Sequence, residues 1–184
     1  MHGNYAQPTR RTTYCASSTF TPVATPTDII TITGSATKTI ILISLKLTTT
    51  NTAAGSQQYA VIKRSALDTT GTFVAATAVP MDTLAPASTV TVGHYTANPG
   101  GLGAAIGTIN TLRLPSPAAI PASFAGVTLD AGFELLPMSQ AFHPAQYVQP
   151  VILRGAAENI AVNFAGAALV GGQTHAYTIL WTEE

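Results

Sequence analysis

The chain has 184 residues, 46% of them hydrophobic, with 8 Lys plus Arg set against 8 Asp plus Glu; charged residues make up only 9%. That length suits one domain, which can bury about 70% of its unfolded surface without disulfides or metals, and the composition excludes a disordered chain. A formal net charge of zero argues against a nucleic-acid binder, which carries a basic excess to displace counterions. No apolar run reaches the ~18 residues of a membrane span, because Ile40 to Leu47 is interrupted by Ser44 and Lys46.

The first eleven residues lack the apolar core of a secretory signal. Cys15 stands alone, so it cannot close an intrachain disulfide and reads as a buried or incidental thiol. Residues 1–26 contain no periodic segment but carry Pro8, Pro22 and Pro26, the basic pair Arg10 and Arg11, and the rings Tyr5, Tyr14 and Phe20. They read as an extended arm, either docked on a neighbouring subunit or laid over its own domain, with residues 27–184 as that domain.

From Asp28 the pattern has period two, which predicts strands. They fall at 29–33, 38–47, 58–64, 73–78, 89–95, 106–114, 132–136, 148–154, 159–164 and 176–182. In the second, strict alternation puts Ile41, Ile43, Leu45 and Leu47 on one face and Ile40, Leu42 and Ser44 on the other. Near the C-terminus Ile160, Val162 and Phe164 share a face, as do Tyr177, Ile179 and Trp181. Turn chemistry separates the runs at 33–35, 51–55, 68–71, 98–101 and 170–173. The proline-rich stretch from Leu114 to Phe124 reads as a crossover loop, and a second irregular loop runs through Pro137, His143, Pro144 and Pro150. Short strands, long loops and no helical periodicity predict an all-β protein, an antiparallel two-sheet sandwich of jelly-roll type. So few charges on a Thr-, Ala- and Ser-rich surface favour burial in a symmetric homo-oligomer.

Motifs for chemistry are absent. The cluster Gly100 to Gly107 lacks the G-x-G-x-x-G spacing of a dinucleotide loop and reads as a mobile hairpin loop. His2, His94, His143 and His175 are isolated, with no spacing that puts two ligands on one face, so no metal is expected; His94 reads as a hydrogen-bonded residue at a sheet margin. The acids are scattered: Asp130 and Glu134, four apart on a strand, would lie ~13 Å from each other, too far for a retaining glycosidase pair. No G-x-S-x-G occurs. The expectation is a protein without enzymatic activity or cofactor. Trp181 reads as core, and Tyr95, Tyr147 and His143 are the best placed residues if a glycan binds.

Six segments resemble a group of small structural proteins of tailed bacteriophages and prophages: Thr31–Ile40, Val61–Ser65, Thr77–Asp82, Tyr95–Pro99, Leu153–Glu158 and Leu180–Glu184. The similarity spans roughly residues 28–184. It implies a virion component made in the host cytoplasm, a decoration or cement protein on the capsid surface or part of a fibre. Its partners would be the major capsid protein or another virion protein and further copies of itself, taken as a trimer, with neither nucleic acid nor membrane. The arm lies outside the resemblance. There Arg10 and Arg11 would pair with acidic lattice residues, while Tyr5, Tyr14 and Phe20 insert as anchors. The other reading is a receptor- or glycan-binding module of a fibre or tail.

Overall fold

A computed structural model describes residues 11–50, 55–116, 131–136, 150–169 and 172–184. These residues form an antiparallel two-sheet β-sandwich without a helix. In the first sheet the order is β10 (Ile152–Leu153), β3 (Ile40–Thr50), β12 (Thr174–Glu183), β1 (Thr12–Phe20) and β6 (Val79–Pro80), with β9 (Ala131–Leu136) also paired to β3. The second sheet runs β5 (Thr72–Ala75), β7 (Val92–Ala97), β2 (Asp28–Thr33), β11 (Asn159–Asn163), β4 (Gly55–Arg64) and β8 (Ala105–Ser116).

Among the described residues no two strands consecutive in sequence pair with each other. The predicted turns are therefore not hairpins; most carry the chain from one sheet to the other. Every ladder closes a long loop, and such non-local pairing makes for slow folding.

The inner faces follow from period two where it is clean. Ile160, Val162 and Phe164 all point into the core, as do Tyr177, Ile179 and Trp181, each at most 2% exposed. The long strand β3 departs from strict alternation. Its pairing with β12 skips Ile43, since Leu180 faces Ser44 and Trp181 faces Leu42. A bulge of this kind inserts one residue and reverses the phase beyond it. Ile40 and Leu42 therefore share the core with Leu45 and Leu47, whereas Ile41 and Ile43 do not join it. A second bulge skips Ile29 where β2 meets β11. Ile29 and Ile30 both reach the core, and Asp28 is turned onto the opposite face of the sheet.

The expected arm does not describe residues 12–20. They form β1, which lies between β12 and β6, with Thr12 opposite Glu183 and Phe20 opposite His175. Tyr14 stacks on Trp181 at 5.8 Å and donates its hydroxyl hydrogen to the Pro86 carbonyl at 3.0 Å. Residues 24–27 are tied to 164–169 by backbone hydrogen bonds from Phe164, Gly166 and Leu169. The predicted crossover loop also begins later than expected. β8 continues through Pro115 to Ser116, and a proline is tolerated there because β8 is an edge strand. Residues 117–124 of that loop lie outside the described residues, as does most of the second irregular loop.

Candidate functional site

The expected anchors are dispersed by the fold. Tyr14 and Phe20, 1% and 6% exposed, are core residues of the chain itself and cannot insert into another protein. Arg11 forms an ion pair with Glu184 at 2.6 Å and lines an open depression with Met81 and Asp82. Tyr5 and Arg10 lie outside the described residues, as do His2, His143, Tyr147 and Asp130. Cys15 is half-buried and burial pushes its thiol pKa up, which disfavours the reactive thiolate.

His94 and His175 sit between the sheets rather than at a margin. Phe20 stacks on His94 at 4.4 Å, and the Tyr59 hydroxyl lies 3.3 Å from His175 Nε2. Desolvation lowers both imidazoles, His175 to about 4, so the pair is neutral at neutral pH. Among the described residues no three His, Cys, Asp or Glu side chains converge as metal ligands do.

The acids are less scattered than the sequence suggests. On the outer face of the second sheet, Arg64 from β4 grips Asp28 with two hydrogen bonds, Nε to Oδ2 at 2.7 Å and Nη2 to Oδ1 at 2.9 Å. Its third arm donates to the Gly103 carbonyl at 2.6 Å. Asn163 donates to Asp28 as well. Asp68, four residues beyond Arg64, approaches the guanidinium at 3.8 Å and accepts the Gly103 amide hydrogen at 2.9 Å. All three charged side chains are at most 5% exposed. Burying charge is tolerated only when it is paired and hydrogen-bonded, and the bidentate grip meets that condition for Asp28 and Arg64. Asp68 is less well served. Its pKa is pushed up to about 6, chiefly by burial, with the Gly103 hydrogen bond and Arg64 opposing and the Asp28 carboxylate adding.

Gly103 is the keystone of this arrangement. A side chain there would collide with the Ala66 carbonyl, and the loop is further fixed by the Thr69–Gly101 bridge and the Gly100 amide on Thr70 Oγ1 at 2.8 Å. The glycine run is thus a pinned connection between β7 and β8, which do not pair, rather than a mobile hairpin.

Beside the cluster lies a pocket of about 290 Å³. Its walls come from Thr31 and Thr33 of β2, Phe73 of β5, Tyr95 of β7, Asn159 of β11, Thr91, and the loop residues Leu67, Asp68 and Thr70. Phe73 and Tyr95 meet edge to face at 5.1 Å. Tyr95 is raised to about 12 by burial and by the charges of Asp68 and Asp28. Thr70 holds a left-handed backbone, φ 58°, uncommon for a β-branched residue and a feature that gathers at binding sites. Asp68 Oδ2 and Asn159 Oδ1 are buried with no hydrogen-bond donor from the protein.

Tyr95 is the one site candidate from the sequence that the structure brings into this pocket. Asp68 and Arg64 carried a weak signal, two opposite charges four apart at a strand end in a chain with few charges. The threonines carried none. No protein-family model, curated protein or solved structure matches this chain.

Proposed function

We propose that the chain is a structural protein of a tailed-phage virion that binds the assembled capsid surface as a homo-oligomer, a trimer, and stabilises or decorates it. The resemblance of the six sequence segments suggests the setting. The observation that carries the reading is the apolar surface held on ordered backbone. Ile106 and Ile109, 57% and 41% exposed, sit on edge strand β8, each skipped in its pairing with β4. Leu102 and Leu67 lie exposed nearby in sequence to β8 and β4, and Val79, Met81 and Leu84 form a second exposed run.

Edge strands normally carry charge or bulges to discourage pairing. Here the bulges bring isoleucine, not lysine, to the surface. A chain with 9% charged residues that leaves these side chains in water is poorly protected against association, and covering them in an assembly removes the cost. Binding the finished lattice but not its dispersed subunits would add stability by linkage, and repetition would add avidity. The sandwich supplies the rigid support, and its repeated passage between sheets suits jelly-roll wiring. The partners are the major capsid protein or another virion protein, together with further copies of the chain.

Light scattering on the purified protein, and co-sedimentation with capsids assembled without it, test this reading. A particle about three times 18.9 kDa that pellets with the capsids is expected. A monodisperse monomer that stays in the supernatant would overturn it. Ile106→Lys with Ile109→Lys should leave the fold intact and weaken the association.

A further inference from the structure

We infer that neighbouring copies of the chain join knob into hole: Leu84 of one copy enters the pocket walled by Leu67, Phe73 and Tyr95 on the next. The inference rests on the homo-oligomer of the shell-binding reading and deepens it by naming the contact between copies.

The knob is held out on a fixed turn. Leu84 is 92% exposed, against 57% for Met81 and Ile106, the next most exposed of the large apolar side chains. Asp82 accepts the Leu84 amide hydrogen on Oδ1 and the Ala85 amide hydrogen on its carbonyl, both at 3.0 Å. On one side of the turn the Met81 amide donates to the Thr13 carbonyl of β1 at 2.8 Å. On the other, the Tyr14 hydroxyl holds the Pro86 carbonyl, and the Glu183 carboxylate accepts from Ser88 Oγ at 2.6 Å and Thr89 Oγ1 at 2.8 Å. With Val79 and Met81 also exposed, Leu84 crowns an apolar run rather than standing as a lone surface leucine. A side chain presented on a turn already fixed loses little freedom when a partner covers it.

The hole is apolar despite the polar residues around it, because their polar atoms are engaged within the chain. Thr33 Oγ1 accepts the Thr91 amide hydrogen at 3.0 Å and Thr70 Oγ1 that of Gly100 at 2.8 Å. The Asn159 amide donates to the Ala66 carbonyl at 2.8 Å. Asp68, the one charged residue among the walls, is turned to Gly103 and Arg64 and is 1% exposed. The surface left to the pocket is mostly apolar, with Leu67, itself 46% exposed, and the Phe73–Tyr95 ring pair among its walls. Its volume of about 290 Å³ admits a leucine side chain.

One chain does not fill its own hole. Leu84 follows β6 at the edge of the first sheet, whereas the pocket opens on the outer face of the second and Leu84 is not among its walls. An apolar knob and a complementary pocket on different surfaces of one molecule make a heterologous contact, which repeats from copy to copy and closes into a ring where the rotation allows. Three copies are the smallest such ring. The contact leaves Ile106 and Ile109 of β8 to face the lattice.

Light scattering and amide NMR on the full chain test the contact. Leu84→Asp removes the knob, and Thr91→Arg, at an exposed wall position, blocks the hole. Each variant should keep the wild-type circular dichroism and dissociate the trimer, its self-association weakened about tenfold or more. Isotopically labelled Leu84→Asp, whose hole is intact, should show saturable shifts at Leu67, Thr70 and Tyr95 when unlabelled Thr91→Arg, whose knob is intact, is added. It should show none when unlabelled Leu84→Asp is added. If Thr91→Arg does not fold, Leu67→Asp, at an exposed side chain, takes its place. A monomeric wild type, a trimer that survives both substitutions, or pocket shifts that do not distinguish the two additions would each overturn the inference. Capsid pelleting separates it from the broader reading. Trimers that depend on Leu84 but stay in the supernatant uphold the contact and refute only the capsid role. A Thr91→Arg trimer that no longer pellets with capsids gives the pocket to the capsid protein and overturns the contact between copies.

Discussion

Two buried polar clusters lie on opposite faces of the second sheet, and they handle charge in opposite ways. Between the sheets, His94 and His175 are kept neutral by stripping away water, with ring contacts to Phe20, Tyr59, Phe164 and Tyr177. On the outer face, Asp28 and Arg64 remain a hydrogen-bonded ion pair under a loop pinned by Gly103. The inner cluster is packing that tolerates polarity. The outer one is a charged frame whose unsatisfied member, Asp68, lines a pocket. Each cluster leaves a buried atom without a protein partner, His175 Nδ1 between the sheets and Asp68 Oδ2 on the outer face, and what separates them is that burial lowers the imidazole and raises the carboxyl.

The largest effect should come from breaking the outer frame. Arg64→Met strands Asp28, which is fully buried, beside Asp68, and removing one partner of a buried pair costs about 3–5 kcal/mol. Chemical denaturation at pH 7 measures it. A loss below 1 kcal/mol would mean that the pair is far better solvated than its burial implies.

Acid attacks the inner cluster instead. With His175 lowered to about 4, the unfolded chain takes up a proton below its ordinary value near 6.5 while the folded chain refuses it. Stability is therefore lost as pH falls from about 6.5 to about 4, by about 3 kcal/mol for this residue, and His94 is shifted in the same direction. Denaturation midpoints for the wild type and His175→Gln across that window provide the check. The variant's curve should be the flatter one.

Asp68 has the opposite sign, which sharpens the contrast. Its raised pKa means that the folded chain holds a proton that the unfolded chain has released, so ionising it between about 4 and 6 destabilises the fold. Asp68→Asn removes that penalty, and its stability relative to wild type should rise as pH climbs from 4 to 7. A constant difference would show that Asp68 ionises as freely in the fold as outside it.

How much of this could be read beforehand depends on where the alternation is pure. The faces of β11 and β12 were legible because Ile160, Val162, Tyr177, Ile179 and Trp181 are large, apolar and two apart. β1 was not, because Ala16 and Ser18 stand between Tyr14 and Phe20 and dilute the stripe; its place is set by pairing with β12 at the far end of the chain. Bulges at Ile29 and Ile43 were also invisible, since an inserted residue has the same composition as its neighbours and only the partner strand reveals it. The pocket is assembled from β2, β5, β7, β11 and the loop after β4, so no local window contains it. The Tyr95 ring could be picked out as a candidate, but not the carboxylate and amide that complete the pocket.

The smallest effect belongs to the one surface ion pair that joins the two ends of the described chain. Arg11 and Glu184 meet at 2.6 Å, but their side chains are 61% and 40% exposed, so water screens the attraction and ordering two side chains offsets most of it. Arg11→Ala should change stability by about 0.5 kcal/mol or less, with β1 still held by its ladder to β12 and by Tyr14 on Trp181. If the same variant lost capsid co-sedimentation at unchanged melting temperature, Arg11 would be a contact for the lattice rather than a clasp for the fold. That result would restore, for this residue alone, the binding role that the buried positions of Tyr14 and Phe20 deny to their rings.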